Sequence, residues 1–458
     1  MRSRRPAELY VGVDVGGTKI QASLVERDGR IAATARRTTP ARRAAEQTLD
    51  AVLDTVAKLL AREGVPARRL RALGLAVPGV VDPDKGRVVV TPNMNLSGLV
   101  AGPLVRKRFG VPAAVGNDVN LGLLGEKWLG AAQQADSAVG IFVGTGIGGG
   151  VILNGRLLRG AREAAGEIGH MVMQAGGPLC GCGNRGCLEA LASRTAIERD
   201  IRTALKAGRR SMLRDMIRTG EEPMRSKVLR RALRQGDKLA TEVVGGASKT
   251  LGYACLTIRH VLDPDVIVLG GGVIEACWRF MLPIVEDIMA RDALPGARPG
   301  SYVARSELGD DAVVLGAVAL ARQSMGDDPL ARPSAVVPRY PRIAWKARGE
   351  VTVDGEVHKS DVCVRGDGKV RTRDAKAARP WGGGAHAVVP AELIMACHGR
   401  PSAFFLGTGE AGSVALTPEG ERFLQRRGIR WRALPSPQAV AAYNRARGRK
   451  AILLHVTC

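Results

Sequence analysis

A stretch near the N-terminus is repeated in altered form further along the chain. The sequence VGVDVGGTKIQASLVERDGRI at residues 11–31 is echoed by VGIFVGTGIGGGVILNGRL at residues 139–157. Each copy reads as a strand, a turn containing glycine and threonine, a second strand, and an Asp-Gly or Asn-Gly turn. Two copies are too few for a solenoid. The repeat predicts a duplicated α/β lobe with a cleft between the copies; chance similarity of two glycine-rich hairpins is the alternative.

Both copies carry glycines at the turn, where backbone N–H groups can approach a phosphate without obstruction by side chains. No helix follows either turn, so neither is a P-loop or a dinucleotide fingerprint. A third glycine run ends a strand, at the place where ligands bind in open α/β sheets. The residues of the three turns are Gly16, Gly17, Thr18 and Lys19, then Gly144, Thr145, Gly146, Gly148 and Gly149, and finally Gly270, Gly271 and Gly272.

The second turn is followed by a cluster of metal-binding residue types. Cys180, Cys182 and Cys187, with His170 ten positions before the first of them, have the composition of a tetrahedral Cys3His zinc site. Glutamates flank the cluster, three residues before the histidine (Glu167) and two residues after the last cysteine (Glu189). A zinc ion there would hold both carboxylates against the glycine turn; a buried core histidine is the alternative for His170.

Length and composition restrict the class of protein. A chain of 458 residues exceeds one ordinary core and predicts two or three domains. No stretch is long and apolar enough for a bilayer, and the basic N-terminus lacks the apolar stretch of a signal peptide. Eight cysteines in so long a chain do not form a disulfide scaffold. We therefore expect a cytoplasmic protein with no membrane partner.

The formal net charge of +24 suggests a nucleic-acid partner, but two observations argue against one. The arginines are spread along the chain, and aromatic residues at 3% offer few stacking platforms for single strands. We interpret the charge as a solvated basic surface, which would favour acidic substrates electrostatically.

The order of predicted elements suggests four segments. Residues 8–116 form a first lobe, to which a helix at 308–325 returns, and residues 117–307 form a second lobe with the zinc site. Residues 326–341 contain four prolines without periodicity and read as a linker. Residues 342–458 alternate strands and helices, which predicts a separate small α/β domain.

Six motifs in this order resemble the ROK family of sugar kinases over about residues 8–325: DVGGTK, PGVVDP, GNDVN, GTGIGGG, GEIGH and CGCGNRGCLEA. The resemblance implies an α/β actin-like ATPase fold, with two ribonuclease-H-like lobes closing over ATP, Mg²⁺ and a hexose. It also implies a homodimer or homotetramer, and glucokinase as the activity.

The resemblance also assigns roles to residues. Asp118 matches the catalytic base, for which a simple turn former after Gly116-Asn117 is the alternative. The residues matching sugar contacts are Asn117, Glu167, His170, Glu189 and Gly79. The first two glycine turns match the phosphate hairpins, the third matches the nucleoside side, and Asp14 is placed to hold magnesium through water.

The C-terminal segment resembles a different family. FFLGTG, AVAAYN and the terminal HVTC are similar to a small α/β family that includes a mitochondrial respiratory complex I assembly factor. That family brings no assigned reaction. Gly407-Thr408-Gly409 could cradle an anion, with a plain tight turn as the alternative. The proline-rich linker predicts that residues 1–330 fold and phosphorylate sugar without this segment.

Three functions compete at this point: a hexose kinase, a sugar-responsive repressor of the same family, and a catalytically silent sugar-binding protein that acts through its C-terminal domain. A repressor needs a DNA-binding helix-turn-helix, for which the eight residues before Leu9 are too few. Asp118 and both hairpins favour the kinase over the silent protein. The sequence leaves open which sugar is used, and whether ATP or polyphosphate is the donor.

Overall fold

The computed structural model describes residues 8–40, 44–91, 94–216, 224–294, 302–330, 338–347, 349–373, 386–399 and 401–456. Up to residue 129 the elements are β1 (Leu9–Val15), β2 (Lys19–Glu26), β3 (Ile31–Thr38), α1 (Ala45–Arg62), β4 (Leu70–Val77), β5 (Val80–Asp82), β6 (Arg87–Val90), α2 (Ala101–Phe109), β7 (Ala113–Asn117) and α3 (Asp118–Leu129).

The next part of the chain builds a second sheet and its helices. Its elements are β8 (Ala138–Val143), β9 (Ile147–Leu153), β10 (Arg156–Leu157), α4 (Leu188–Ala192), α5 (Arg194–Lys206), α6 (Leu213–Met216), α7 (Ser226–Arg234), α8 (Lys238–Leu262), β11 (Val266–Gly270), α9 (Gly272–Ala290), β12 (Tyr302–Arg305) and α10 (Ala312–Gln323).

The two sheets have the same topology. The first has the order β3-β2-β1-β4-β7 and the second has the order β10-β9-β8-β11-β12. In each, an antiparallel pair joined by a glycine turn is followed by two further parallel strands. The central strands are apolar and almost wholly buried, as expected for parallel strands covered on both faces. The duplication predicted from the sequence repeat is therefore visible in the strand order.

Helix α10 returns from the second sheet and packs against both the first sheet and α3. The predicted helix at 308–325 is a 3₁₀ turn at Gly309–Asp311 followed by α10. Glycines allow the backbones to touch. A Cβ on Gly74 of β4 would lie 1.9 Å from the carbonyl oxygen of Ala317, and a Cβ on Gly316 would lie 1.7 Å from that of Leu121 in α3.

A buried carboxylate holds the segment between β12 and α10 in place. Glu126 of α3 has no exposed surface. Its Oε1 accepts hydrogen bonds from Ser306 Oγ at 2.6 Å and from the Leu308 backbone N at 3.0 Å. Its Oε2 accepts from the backbone N of Ala131 at 2.7 Å and of Glu307 at 3.3 Å. These four donors compensate the carboxylate for the water it has lost.

The C-terminal segment forms its own sheets. Its elements are β13 (Ile343–Ala347), β14 (Glu350–Val353), β15 (Glu356–His358), β16 (Val362–Val364), β17 (Val370–Thr372), β18 (Ala387–Val388), α11 (Pro390–Ala396), β19 (Ala403–Gly407), β20 (Ala415–Leu416), α12 (Pro418–Arg426), β21 (Arg430–Leu434), α13 (Ser436–Arg445) and β22 (Lys450–Leu454). The main sheet has the order β17-β16-β22-β19-β21. Strands β22, β19 and β21 are parallel to one another, and β16 is antiparallel to both of its neighbours, β22 and β17.

This segment packs directly on the second sheet's side of the molecule. The Gly399 N–H donates to Gln133 Oε1 at 2.6 Å, and Arg427 Nε donates to the Gln134 carbonyl oxygen at 2.7 Å. Arg427 also pairs with Asp265 at 3.4 Å. One apolar core runs continuously from α3 and α10 to β19, β22 and α11. A cavity of about 240 Å³ remains at this seam, between Tyr302 of β12 and α11.

Two predictions touch residues whose placement is not described. The middle of the predicted linker, residues 331–337, lies outside the described residues, as does the end of the chain after Val456. Among the described residues no helix is long and apolar enough to cross a membrane.

The contact between α3 and α10 generates a stability prediction. Gly316→Ala would place a methyl group against a backbone carbonyl, so the two helices must separate. We expect a loss of about 1–3 kcal/mol or more in the free energy of unfolding, measured by denaturant titration. Gly246→Ala is the matched control, because Gly246 lies in α8 with nothing within 4 Å of its Cβ position. It should stabilise by up to about 1 kcal/mol; equal effects of the two changes would contradict the close packing.

Candidate active site and metal cluster

The first glycine turn joins β1 to β2 and opens toward solvent. The Gly16 N–H donates to the Lys19 carbonyl oxygen at 3.0 Å, which closes the turn. Thr39 fixes it from outside, with Oγ1 donating to the Gly16 carbonyl oxygen at 2.7 Å. Gly17 is exposed, and a Cβ there would have nothing within 4 Å. The turn therefore leaves open space for a ligand at Gly17.

The second turn joins β8 to β9 and contacts one of the predicted sugar-binding carboxylates. The Gly144 N–H donates to the Gly146 carbonyl oxygen at 2.9 Å. The Ile147 N–H donates to Glu189 Oε2 at 2.8 Å, and a Cβ on Gly146 would lie 2.2 Å from that same oxygen. Absence of a side chain at Gly146 thus lets a carboxylate approach the turn.

Two glycines of the second turn are also required by packing. A Cβ on Gly148 would lie 2.4 Å from Val119 Cγ2, and a Cβ on Gly149 would lie 2.4 Å from the Gly166 carbonyl oxygen. Close packing inside the protein is thus sufficient to require glycine at both positions. The contact with Val119 also places the second turn directly beside the start of α3.

The third glycine run connects β11 to α9. Gly270 ends the strand, Gly272 begins the helix, and Gly271 between them has a φ of 86°. Residues with a side chain rarely adopt that backbone conformation. A Cβ on Gly271 would also lie 2.6 Å from the Val143 carbonyl oxygen, at the end of β8. The second and third glycine runs are therefore neighbours.

Asn117 and Asp118 lie where β7 passes into α3. Asn117 caps the helix, with Oδ1 accepting from the Asn120 N–H at 2.9 Å, while its Nδ2 donates to the Gly79 carbonyl oxygen at 2.9 Å. Asp118 Oδ1 accepts from Asn117 Nδ2 at 3.1 Å and from the Val119 N–H at 2.9 Å. Within the part of the chain that the structure describes, Oδ2 has no hydrogen-bond partner. The aspartate is thus fixed by one oxygen and can offer the other to a substrate.

The electrostatics show that several carboxylates lie close together. Burial raises the pKa of Asp118, and the charge of Glu167 raises it further, although the Val119 N–H acts in the opposite direction. Burial raises the pKa of Asp14 to about 7, with the charges of Asp118 and Asp310 adding to the rise and that of Lys19 opposing it. A cation bound here would relieve this concentration of negative charge.

The predicted metal ligands come together in space. The ligand atoms of His170, Cys180, Cys182 and Cys187 all lie within 4.8 Å of one another. The sulfur atoms of Cys182 and Cys187 are 3.8 Å apart, and Cys180 Sγ is 3.7 Å from His170 Nδ1. Zinc–sulfur bonds of about 2.3 Å give a tetrahedral edge of about 3.8 Å, so the residues fit a zinc ion.

The cluster connects directly to the two glutamates. His170 presents Nδ1 to the cysteines and Nε2 to Glu167 Oε2, which lies 3.9 Å away. Cys180 Sγ lies 3.7 Å from Glu189 Oε1, whose partner oxygen binds the second glycine turn. The structure therefore brings the predicted metal ligands, the two glutamates and the second turn together in one wall.

Sequence reasoning did not identify several residues that contact this site. Asp310 lies 3.5 Å from Lys19 Nζ, and Gln21 Nε2 donates to Asp311 Oδ1 at 3.3 Å, so the 3₁₀ turn before α10 touches the first hairpin. Arg194 Nη2 donates to Thr145 Oγ1 at 2.5 Å. Asp310, Asp311 and Arg194 belong to no recognisable local motif, because each reaches the site from a distant part of the chain.

Comparison with known proteins decides the family. The family model described as "ROK family" matches residues 10–324. The chain belongs to the ROK family. It accordingly has the actin-like ATPase fold of that family, built on the two duplicated sheets.

This ROK chain is similar both to enzymes and to regulators. It is 34% identical over 323 residues to a glucokinase of Thermotoga maritima, covering 70% of this chain and 99% of the relative. It is 32% identical over 316 residues to the transcriptional regulator NagC of Escherichia coli, covering 69% of this chain and 75% of NagC. A solved ROK family glucokinase from Streptomyces griseus, in complex with glucose and AMPPNP, matches with a TM-score of 0.61 at 32% identity, covering 69% of this chain and 99% of that one.

The cluster generates a metal prediction. We expect one zinc ion per chain of this ROK protein, because the four ligand atoms fit a tetrahedral site. Cys182→Ala removes one ligand and should disorder the loop that carries Glu189, abolishing sugar binding, since structural zinc contributes on the order of 10 kcal/mol. Cys277→Ala, a buried cysteine of α9 outside the cluster, should keep its zinc. Elemental analysis that finds no zinc in protein purified without chelator would rule the site out.

The raised pKa of Asp14 generates a pH prediction. In the folded state the carboxyl retains its proton up to about pH 7, whereas in the unfolded chain it ionises near 3.8. Between these values the native state binds more protons, so its stability falls as pH rises. Asp14→Asn removes this penalty and should stabilise by at most about 4 kcal/mol above pH 7, with no gain near pH 4.

Denaturant titrations without added magnesium or nucleotide, at about pH 5 and about pH 8, measure this difference. The gain from Asp14→Asn should be larger at the higher pH. A gain that does not change with pH would show that Asp14 is ionised at both.

Proposed function

We propose that this ROK chain is an ATP-dependent hexose kinase that transfers the γ-phosphate of ATP to a hydroxyl group of glucose. The observation that carries the proposal is the geometry of Asp118, whose Oδ1 is fixed by two donors while Oδ2 is left for a substrate. Two glycine turns of the kind that bind phosphates lie nearby: Val119, the next residue, contacts the second turn, and the charge of Asp118 raises the pKa of Asp14 beside the first. The similarity to glucokinases over nearly their whole length supports the same function.

Asp118 would orient the attacking hydroxyl and accept its proton. Phosphoryl transfer depends on positioning and on neutralisation of charge more than on covalent help from the protein. The sugar hydroxyl becomes acidic only as it attacks phosphorus, so a carboxylate is basic enough to take the proton late in the reaction. Burial raises the pKa of Asp118 and so makes it a stronger base than an ordinary exposed aspartate.

The sugar would be held by the wall that the metal cluster supports. Glu167 is close enough to Asp118 for its charge to raise the pKa of that carboxyl, and His170 Nε2 lies 3.9 Å from Glu167 Oε2. Asn117 contacts both Asp118 and the Gly79 carbonyl oxygen. Carboxylates and an imidazole can accept and donate hydrogen bonds to hydroxyl groups. Zinc at the cluster would be structural, fixing His170 and the loop that carries Glu189.

The donor would lie across the two hairpins. The turns at Gly16–Lys19 and Gly144–Gly146 would bind the phosphates, and Gly270–Gly272 would lie on the nucleoside side. The charges of Asp118 and Asp310 contribute to the raised pKa of Asp14. A cation would offset these negative charges, so the residues fit a magnesium ion. Bound magnesium would neutralise charge on the phosphates, and Asp14 would hold it through water.

A sugar-binding regulator without catalysis is the second candidate function. The identity to NagC over 316 residues supports it, because the same fold can bind sugar to control another process. The two functions differ in one measurable respect. A kinase turns over a hexose with a phosphate donor, whereas a regulator binds the sugar without turnover.

Asp118→Asn separates these functions. General-base catalysis is typically worth about 10²–10⁴-fold, so turnover should fall by at least that order. Asparagine keeps the size and can still bond to a hydroxyl, so the affinity for glucose should change much less. Steady-state phosphorylation of glucose and calorimetric binding of glucose, with and without nucleotide, give the two values. Asp200→Asn, an exposed change on α5, is the control and should leave both unchanged.

Turnover within a few fold of wild type would remove Asp118 from the mechanism. No turnover by the wild-type protein, over a panel of hexoses with ATP and with polyphosphate, together with tight sugar binding, would favour the regulator.

A further inference from the structure

Arg194 lies against the second glycine turn and has no role in the function proposed above. It is the first residue of α5, which Ser193 caps by accepting the Ala196 N–H at 3.1 Å. The Arg194 backbone N–H donates to the Gly144 carbonyl oxygen at 3.0 Å, and Thr195 Oγ1 donates to the Thr145 carbonyl oxygen at 2.8 Å. The N-terminus of this 13-residue helix is therefore docked on the turn.

The guanidinium group is held at the same place. Its Nη2 donates to Thr145 Oγ1 at 2.5 Å, and its Nη1 donates to the Met224 carbonyl oxygen at 3.4 Å. Both partners are uncharged. A guanidinium has five N–H donors, so further donors stay available for a ligand. The side chain is only partly buried, so the protein does not enclose those donors.

The other arginines of α5 are placed differently. Arg199 pairs with Asp200 at 2.8 Å, and Arg202 pairs with Glu198 at 2.7 Å. Over the described residues, Arg194 has no carboxylate within ion-pair distance. Its positive charge is thus not neutralised by the protein, and it lies beside a turn with the geometry to receive phosphates.

The charges around this turn favour a positively charged side chain there when phosphates bind. The turn offers backbone N–H groups, which carry no net charge, and Glu189 brings a carboxylate to its edge. A chain of phosphates bound at the turn would be repelled by that carboxylate. Lys19 on the first hairpin is already close to Asp310. Arg194 would supply the positive charge that the second hairpin otherwise lacks.

We propose that Arg194 binds the phosphate chain of the donor at the second hairpin and thereby selects donors that carry several phosphates, such as a nucleoside triphosphate. This rests on the proposed kinase function and assigns a specificity-determining residue to its donor site. A purely structural role, in which Arg194 only ties Met224 and α5 to the turn, predicts a different result.

Calorimetric titration of AMPPNP, ADP and AMP distinguishes the two roles without requiring turnover. Arg194→Gln keeps a donor for Thr145 but removes the charge. We expect it to weaken AMPPNP binding about 10- to 100-fold, the range for loss of a charge-assisted contact, while AMP binding changes less than about twofold. The dependence of AMPPNP affinity on salt should also decrease, because one fewer charge contacts the phosphates.

Arg199→Gln makes the same change five residues further along α5 and should bind AMPPNP like the wild type. Arg194→Lys keeps the charge and tests the proposal even if the glutamine variant is unstable. It should bind AMPPNP within about fivefold of wild type and keep the wild-type dependence on salt.

The proposal is overturned if Arg194→Gln binds AMPPNP within twofold of wild type, or if AMPPNP and AMP lose affinity equally. It is also overturned if Arg194→Lys loses the salt dependence. Failure of the kinase function is a separate result: wild-type protein would then bind AMPPNP but phosphorylate no sugar, and the effect of Arg194 on phosphate binding would still be measurable.

Discussion

The carboxylate of Glu126 connects parts of the molecule that are far apart in sequence. It lies near the end of α3, the helix that begins with Asp118, and accepts hydrogen bonds from the segment that leads out of the second sheet. That segment continues to Asp310 and Asp311, which contact the first hairpin. One buried charge with four donors thus connects the helix that begins with Asp118 to the segment that contacts the first hairpin. An unpaired carboxylate there would cost several kcal/mol, so the arrangement has little freedom to relax.

Glycines at the contacts among α3, α10 and the first sheet help to hold the same elements together. Gly12 and Gly74 in the first sheet, with Gly125 and Gly316 in the helices, each face a backbone group at a distance that excludes a Cβ. The helices α3 and α10 can therefore lie unusually close to each other and to β1 and β4. Any movement of the two five-stranded sheets relative to each other would have to change this contact. The reason is that α10 follows the second sheet in the chain but packs on the first.

The sequence predicts the parts of this structure that depend on local chemistry. The hairpins, the turn at Asp28-Gly29 and the His170–Cys187 cluster could be located because turn residues and metal ligands occur at short, regular spacings. Asp118 could be singled out only through the resemblance of its GNDVN motif to the ROK family. Glu126 could not, because a single glutamate in a helix is usually exposed, and only the folded chain shows that Ser306 faces it.

The same limit applies to the C-terminal segment and to Arg194. Short apolar runs indicate its strands and helices, but nothing local indicates that Gly399 and Arg427 bind the loop at Gln133 and Gln134. An arginine that opens a helix likewise gives no sign that its side chain reaches Thr145. The phosphate role of Gly148 and Gly149 is predicted from the glycine-rich turn and from the family resemblance, and packing against Val119 and Gly166 independently requires glycine at both positions.

The orientation of His170 has a consequence for the sugar contact that we propose for it. With Nδ1 directed at Cys180 and Nε2 at Glu167, a metal on Nδ1 forces the ring proton onto Nε2. The imidazole is then locked in one tautomer, and its Nε2 can only donate a hydrogen bond. Without the metal either nitrogen can carry the proton, and the ring can accept instead. A bound metal ion would thus determine whether His170 Nε2 donates or accepts a hydrogen bond, several ångströms from the metal. It would thereby determine which orientation of a hydroxyl group is recognised.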